Sequence, residues 1–126
     1  MQTPTIIYYG AAGLQAQVLS SYFSNLHCRF ETAHSIEELI DLARHADRAI
    51  VILALDDSPP HLIRIARQVI PNPSSAFPHV FILYGGEPFD TQLETITLVT
   101  GSARLRRVAD EIMALIRRLP SRTTTA

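Results

Sequence analysis

The chain has 126 residues, is 47% hydrophobic and 18% charged, and carries a formal net charge of -1. These values fit one domain with a buried core and exclude a disordered chain or a strongly basic nucleic-acid binder. All 11 basic residues are arginine, so every mechanism that needs a lysine amine, from a phosphate-binding loop to a Schiff base, is excluded.

Residues 5–9, Thr-Ile-Ile-Tyr-Tyr, are β-branched and aromatic and stop at Gly10. They predict a strand buried on both faces. After Gly10-Ala11-Ala12-Gly13, Leu14, Val18, Tyr22 and Leu26 recur at four-residue spacing, with Leu19 and Phe23 alongside. This spacing puts an apolar stripe on one face of a helix of about 12–14 residues, where a core-facing stripe is expected. Cys28 and Phe30 then share one face of a second strand, with Arg29 and Glu31 on the other. Ser35 and Glu38 form a capping box ahead of Ile36, Leu39, Ile40 and Ala43, the stripe of a second helix ending near His45.

Residues 49–55, Ala-Ile-Val-Ile-Leu-Ala-Leu, are seven apolar residues in a row and predict the central strand. Asp56, Asp57 and Ser58 follow it, and Pro59-Pro60 opens a third helix, where the first N–H groups have no partner to lose. Leu62, Ile63, Ala66, Val69 and Ile70 form its buried face. Residues 79–84, His-Val-Phe-Ile-Leu-Tyr, predict a fourth strand ending at Gly85-Gly86, and residues 95–100 a fifth. The polar stretch from Pro88 to Thr95 is too short for a full helix. The last helix is expected after Ser102 as N-cap, with Leu105, Val108, Ile112, Leu115, Ile116 and Leu119 as its apolar positions.

Strands alternating with helices over short connections predict an α/β doubly wound domain. The expected sheet is parallel and five-stranded, flavodoxin-like, with order 2-1-3-4-5 and a short or degenerate fourth helix. In such a sheet functional groups gather at the C-terminal strand ends. Here those ends are Gly10-Ala11-Ala12, Asp56-Asp57-Ser58, Gly85-Gly86 and Gly101-Ser102. Asp56 and Asp57 fit either a phosphorylation or metal site or, more simply, the positive end of the third helix. The five histidines and Cys28 show no converging ligand spacing, so no metal site is expected. Gly85-Gly86 reads as a tight turn more readily than as a phosphate cradle. No apolar run approaches the roughly 20 residues of a membrane span. No basic patch precedes the first apolar run, and the single cysteine makes no internal disulfide; together these predict a cytoplasmic protein.

Arg104, Arg106, Arg107, Arg117, Arg118 and Arg122 crowd the C-terminal segment, against Asp110 and Glu111 alone. Three readings stand: a dimer face, a solvated helix face with intrahelical pairs, or a nucleic-acid or nucleotide contact. Arg107 and Asp110 have the Arg-x-x-Asp spacing seen in cyclic-di-GMP sites. A net charge of -1 disfavours direct nucleic-acid binding.

Five strand–helix units over residues 5–119 resemble a response-regulator receiver domain. A working receiver needs an acidic pair after the first strand and an acceptor Asp at the end of the third. It also needs a hydroxyl residue after the fourth strand and a lysine after the fifth. Here Ala11 and Ala12 stand at the first position, and Ala54 or, on another alignment, Asp56 at the second. Tyr84 stands at the third, and Ser102 follows the fifth strand where the lysine is absent. The resemblance therefore implies a degenerate receiver without phosphoryl chemistry. The segments VILALDDSPPHLIRIARQ (residues 51–68) and FPHVFILYGGEP (residues 77–88) resemble the N-terminal domain of FleQ-type flagellar regulators, which are sigma-54-dependent activators.

That resemblance implies a non-enzymatic regulatory domain over residues 1–119 with a linker-like tail at 120–126. It would act by homodimerisation and by contact with an ATPase domain of the same regulator, without cofactor, metal, membrane or direct nucleic-acid binding. Receivers often pair across their fourth helix, fifth strand and fifth helix, which implies an interface of Asp90, Glu94, Arg104, Arg107, Glu111, Leu115 and Arg118. The alternative is a small-ligand or nucleotide sensor, cyclic di-GMP for instance, using Ala11, Gly13, Asp57, Gly85 and Ser102 around the strand-end cleft.

Overall fold

The seven-residue apolar run becomes β3 (Ala49–Ala54), the middle strand of five. The computed structural model describes residues 4–11, 13–46, 48–71, 77–101 and 103–117. β1 (Thr5–Gly10) and β4 (His79–Tyr84) flank β3, while β2 (Arg29–Ala33) and β5 (Ile96–Thr100) form the edges. All neighbours are parallel, in the order β2-β1-β3-β4-β5. Helices α1 (Leu14–Asn25) and α4 (Arg104–Arg117) cover one face of the sheet. Helices α2 (Ile36–His45) and α3 (Pro59–Val69) cover the other. This is the doubly wound, flavodoxin-like arrangement expected from the alternation of strands and helices.

The period of two explains why β3 has no polar residue. Ile50 and Ile52 face α1 and α4, Val51 and Leu53 face α2 and α3, and all four are fully buried. Each such side chain contributes about 1.5–3 kcal/mol relative to exposure. Helix starts follow local chemistry. The Ser35 hydroxyl accepts the Glu38 N–H at 3.0 Å, and the Glu38 carboxylate accepts the His34 N–H at 2.6 Å. The Pro59-Pro60 pair occupies the first turn of α3, as the sequence predicts.

Two features depart from regular winding. The first is the β4–β5 crossover, residues 85–95, which contains no helix. Hydrogen bonds shape it instead. Asp90 Oδ1 accepts the Gln92 N–H at 3.0 Å, and Gln92 adopts a left-handed backbone with φ 70. Its side-chain oxygen accepts from Arg67 of α3 at 2.7 Å. Thr91 donates to the Ile96 carbonyl at 3.0 Å. Phe89 and Leu93 of this crossover pack onto the α2–α3 side of the core, supplying the apolar cover a fourth helix would have given.

The second departure corrects an expectation. The row Leu14, Val18, Tyr22, Leu26 does not face the sheet; these four are 76%, 47%, 39% and 38% exposed. The adjoining row, Leu19 and Phe23, is buried in its place. Residues four apart advance only about 40° around a helix, so both rows are apolar ridges lying side by side. The sheet covers one of them. Phe23 wins because its ring stacks on Phe30 at 6.5 Å and meets no solvent.

Candidate functional site

The C-terminal edge of the sheet, where the fold normally places its chemistry, is packed tight where β1 meets β3, and its acids, Asp56 and Asp57, stand in an exposed loop. β3 ends at Ala54, which lies in register with Gly10 of β1. A Cβ on Gly10 would fall 2.6 Å from the Ala54 carbonyl oxygen, so no side chain fits there. Ala11 follows in an exposed loop, and its carbonyl accepts the Tyr8 hydroxyl at 3.3 Å. Gln15 of α1 donates to the same hydroxyl at 3.2 Å. Burial raises the Tyr8 phenol above its ordinary titration range, while the Gln15 bond opposes the shift. Tyr8 thus ties strand end to helix start with uncharged groups. Ala12 and Ser102, both expected here, lie outside the described residues.

At β4 the ring of Tyr84 lies over Gly86. A Cβ on Gly86 would approach that ring to 2.8 Å. Tyr84 also meets Phe89 edge-on, with ring centres 5.1 Å apart. The Gly85-Gly86 turn therefore serves aromatic packing, and Gly85 itself is exposed. At β5 the strand-end carbonyls are capped by arginines: Arg104 donates to Gly101 at 2.9 Å and Arg107 to Thr100 at 3.1 Å.

Asp56 and Asp57 both sit in the exposed loop after β3. Asp57 Oδ1 accepts the Ser58 N–H at 2.7 Å, and Oδ2 meets His61 Nδ1 at 2.5 Å across one turn of α3. The Ser58 N–H bond holds the Asp57 carboxyl below its ordinary range, and His61 adds to the effect. Asp57 thus makes its contacts at the start of α3. Gly13 starts α1 and contributes no side-chain contact. Among the described residues, no three His, Cys, Asp or Glu side chains gather into a group able to hold a metal ion. Cys28 is buried, and burial pushes its thiol up, away from nucleophilic use.

The described residues expected at an interface separate into four settings. Asp90 and Glu94 are exposed on the β4–β5 crossover, on the α3 side of the sheet. Glu111 is exposed on α4, across the edge strand β5 from them. Arg104 and Arg107 are drawn back onto the backbone by the hydrogen bonds above, and Leu115 is half-buried against the α1–α4 side of the core. Arg118 lies outside the described residues.

Two depressions were not foreseen from the sequence. A cleft of about 610 Å³ lies between the outer side of α3 (Pro60, Ile63, Arg64, Arg67) and the crossover (Phe89, Asp90). One of its walls is the crossover that lacks a helix. The short Pro88–Thr95 segment was the available signal. A second groove of about 370 Å³ separates α1 from α4, lined by Val18, Leu19 and Tyr22 on one side and Leu105, Arg106, Ala109 and Asp110 on the other.

No helix among the described residues is long and apolar enough to cross a membrane. Comparison with known proteins leaves the fold to stand by itself: no family model, curated protein or solved structure matches this chain.

Proposed function

We propose that this chain is a non-enzymatic, receiver-like regulatory domain that works through protein contacts, chiefly self-association, and not through phosphoryl transfer. The observation that carries this reading is the filled strand-end edge. Gly10 is sealed against Ala54, the Tyr84 ring covers Gly86, and the Asp57 carboxylate is committed to the start of α3. Phosphoryl transfer to an Asp needs a cation held by several oxygen ligands next to the acceptor. Here Ala11 follows β1 and Ala54 ends β3 in place of acids, so Asp56 and Asp57 in the exposed loop beyond β3 face no acidic pair after β1. The resemblance of residues 51–68 and 77–88 to FleQ-type regulators supports a role in controlling a sigma-54-dependent transcription activator. In that role the domain pairs with a second copy and contacts the activator's ATPase domain.

The test has two parts. The chain is incubated with acetyl phosphate and Mg²⁺ and its intact mass is measured; the expected spectrum has no phosphoryl adduct. Sedimentation equilibrium over a range of concentrations is expected to give a reversible dimer. A stoichiometric adduct on Asp56 or Asp57, or a monomer at the highest concentration, overturns the reading.

A second reading, a small-ligand or nucleotide sensor, is favoured by one observation. The cleft beside α3 has a volume within the usual range for ligand sites and places Arg64, Arg67 and Phe89 around one opening. It moves the candidate ligand site away from the strand ends. Cyclic di-GMP at saturation then raises the melting temperature by mass action, and an unchanged melting temperature removes this ligand.

A further inference from the structure

We propose that the outer face of α1, together with the α1–α4 groove, is the surface through which two copies of this chain pair about a two-fold axis. The inference rests on the self-association reading above and gives it a location. Four apolar side chains, Leu14, Val18, Tyr22 and Leu26, form an exposed row along the whole of α1 and just past its end. Such a row in water is unfavourable unless something covers it.

Charge points to a second copy as the occupant. α1 contains no charged residue, whereas α2, α3 and α4 each carry at least two arginine, aspartate or glutamate side chains. A symmetric interface sets like against like. Among the helices of the described residues, α1 is the one that can meet its own copy without desolvating a charge or opposing charges of one sign. Beside it, Arg106 and Asp110 of α4 line the groove, and neither has an ion-pair partner among the described residues.

The spacing is self-complementary. The row is centred between Val18 and Tyr22, and the charged pair is centred between Arg106 and Asp110. Both pairs line the same groove, so the two centres lie at similar height. A two-fold axis in the interface plane, crossing both helices there, sets Val18 against the partner's Tyr22 and Leu14 against the partner's Leu26. The same operation sets Arg106 against the partner's Asp110, twice. A stable interface buries about 800 Å² per partner. Four partly exposed side chains fall short of that, which is why the α4 side of the groove belongs to the surface.

The experiment is sedimentation equilibrium on the full chain and on variants whose fold is checked by circular dichroism. Leu14→Ser changes the most exposed member of the row, and Tyr22→Asp places a charge at its centre. Both are expected to weaken the dimer about tenfold or more. Arg106→Asp and Asp110→Arg each set like charges across the axis and are expected to weaken it too. The double swap restores opposite charges and is expected to recover most of the loss. A dimer unmoved by these changes but broken by substitution of Asp90, Glu94 or Glu111 overturns this surface and leaves self-association standing. Failure of the double swap to rescue overturns the two-fold pairing of α4. A chain monomeric at every concentration overturns both the surface and the self-association reading.

Discussion

α1 and α3 are helices of similar length, 12 and 11 residues, packed on opposite faces of one sheet. α3 buries Leu62, Ile65, Ala66 and Val69 and turns Arg64, Arg67 and Gln68 outward. These four form one stripe against the sheet, while Ile63, expected on that face, lies half-buried on the outer side beside the cleft, and Ile65 is buried in its place. α1 buries Leu19 and Phe23 and leaves a second apolar row outside. Its outward polar groups are amides and hydroxyls, not charges. The contrast separates two uses of apolar surface. A single stripe with a charged back is what folding requires. A second, partly exposed stripe with an uncharged back exceeds what the sheet covers, and on the proposal above it is the surface a partner covers.

The largest effect that can break this contrast comes from deleting buried apolar side chains. Phe23→Ala should cost about 3–5 kcal/mol and Leu62→Ala about 2–5 kcal/mol in urea denaturation. Leu14→Ala, on the outer row, should stay within about 0.5 kcal/mol when measured on the monomer. If Leu14→Ala costs as much as Phe23→Ala, the outer row belongs to the core and the contrast fails.

The connection between β1 and α1 gives the next effect. Gly10→Ala forces a methyl group against the Ala54 backbone and should cost about 1–3 kcal/mol, read as a lower urea midpoint. A neutral result would mean that the strand-end edge is loose enough to admit a side chain, and would reopen it as a site.

Helix starts offer a smaller effect. Gly13 makes no side-chain cap for α1, while Ser35 caps α2 through the Glu38 N–H. Ser35→Ala should cost about 1 kcal/mol by the same assay. Gly13→Ala has no capping bond to remove, so any loss there reports its φ of 148 instead.

The smallest effect is a dependence on pH that α3 has and α1 lacks. The Asp57 carboxyl titrates lower in the folded chain than in the unfolded chain, first because of the Ser58 N–H and then because of His61. Its contribution is therefore present above the ordinary carboxylate value of about 4 and is lost as pH falls through the lower folded value. Asp57→Asn should flatten that part of the stability profile and leave the region above neutral pH little changed. α1 contains no acid and follows Gly10-Ala11-Ala12-Gly13, so it has no carboxylate in the place of Asp57 and makes no such contribution.

Much of the architecture was legible because strand and helix periods differ. The apolar runs at 49–55 and 79–84 exceed what an amphipathic helix allows, and they became β3 and β4. The capping box at Ser35 and the Pro59-Pro60 start became the first turns of α2 and α3. The candidate site was less legible. Residue identities already showed Ala11 and Ala12 where a receiver needs an acidic pair, and left the acceptor position to Ala54 or Asp56. They did not show that Gly10 is sealed by the Ala54 carbonyl or that Tyr84 lies over its own turn. Nor did they reveal that Arg104 and Arg107 fold back onto Gly101 and Thr100. Those are contacts between residues brought together by pairing of strands and by the turn after each strand.

The sequence by itself determined the parallel α/β class, the central strand and the lack of any lysine-dependent chemistry, since these depend on residue type and local period. Tertiary structure alone decided which of two adjacent apolar rows on α1 faces the sheet. Periodicity records that Leu14, Val18, Leu19, Tyr22, Phe23 and Leu26 lie on neighbouring ridges of one helix. Only the sheet's finite width, and the fit of Phe23 against Phe30, selects the inner ridge and leaves the other in water.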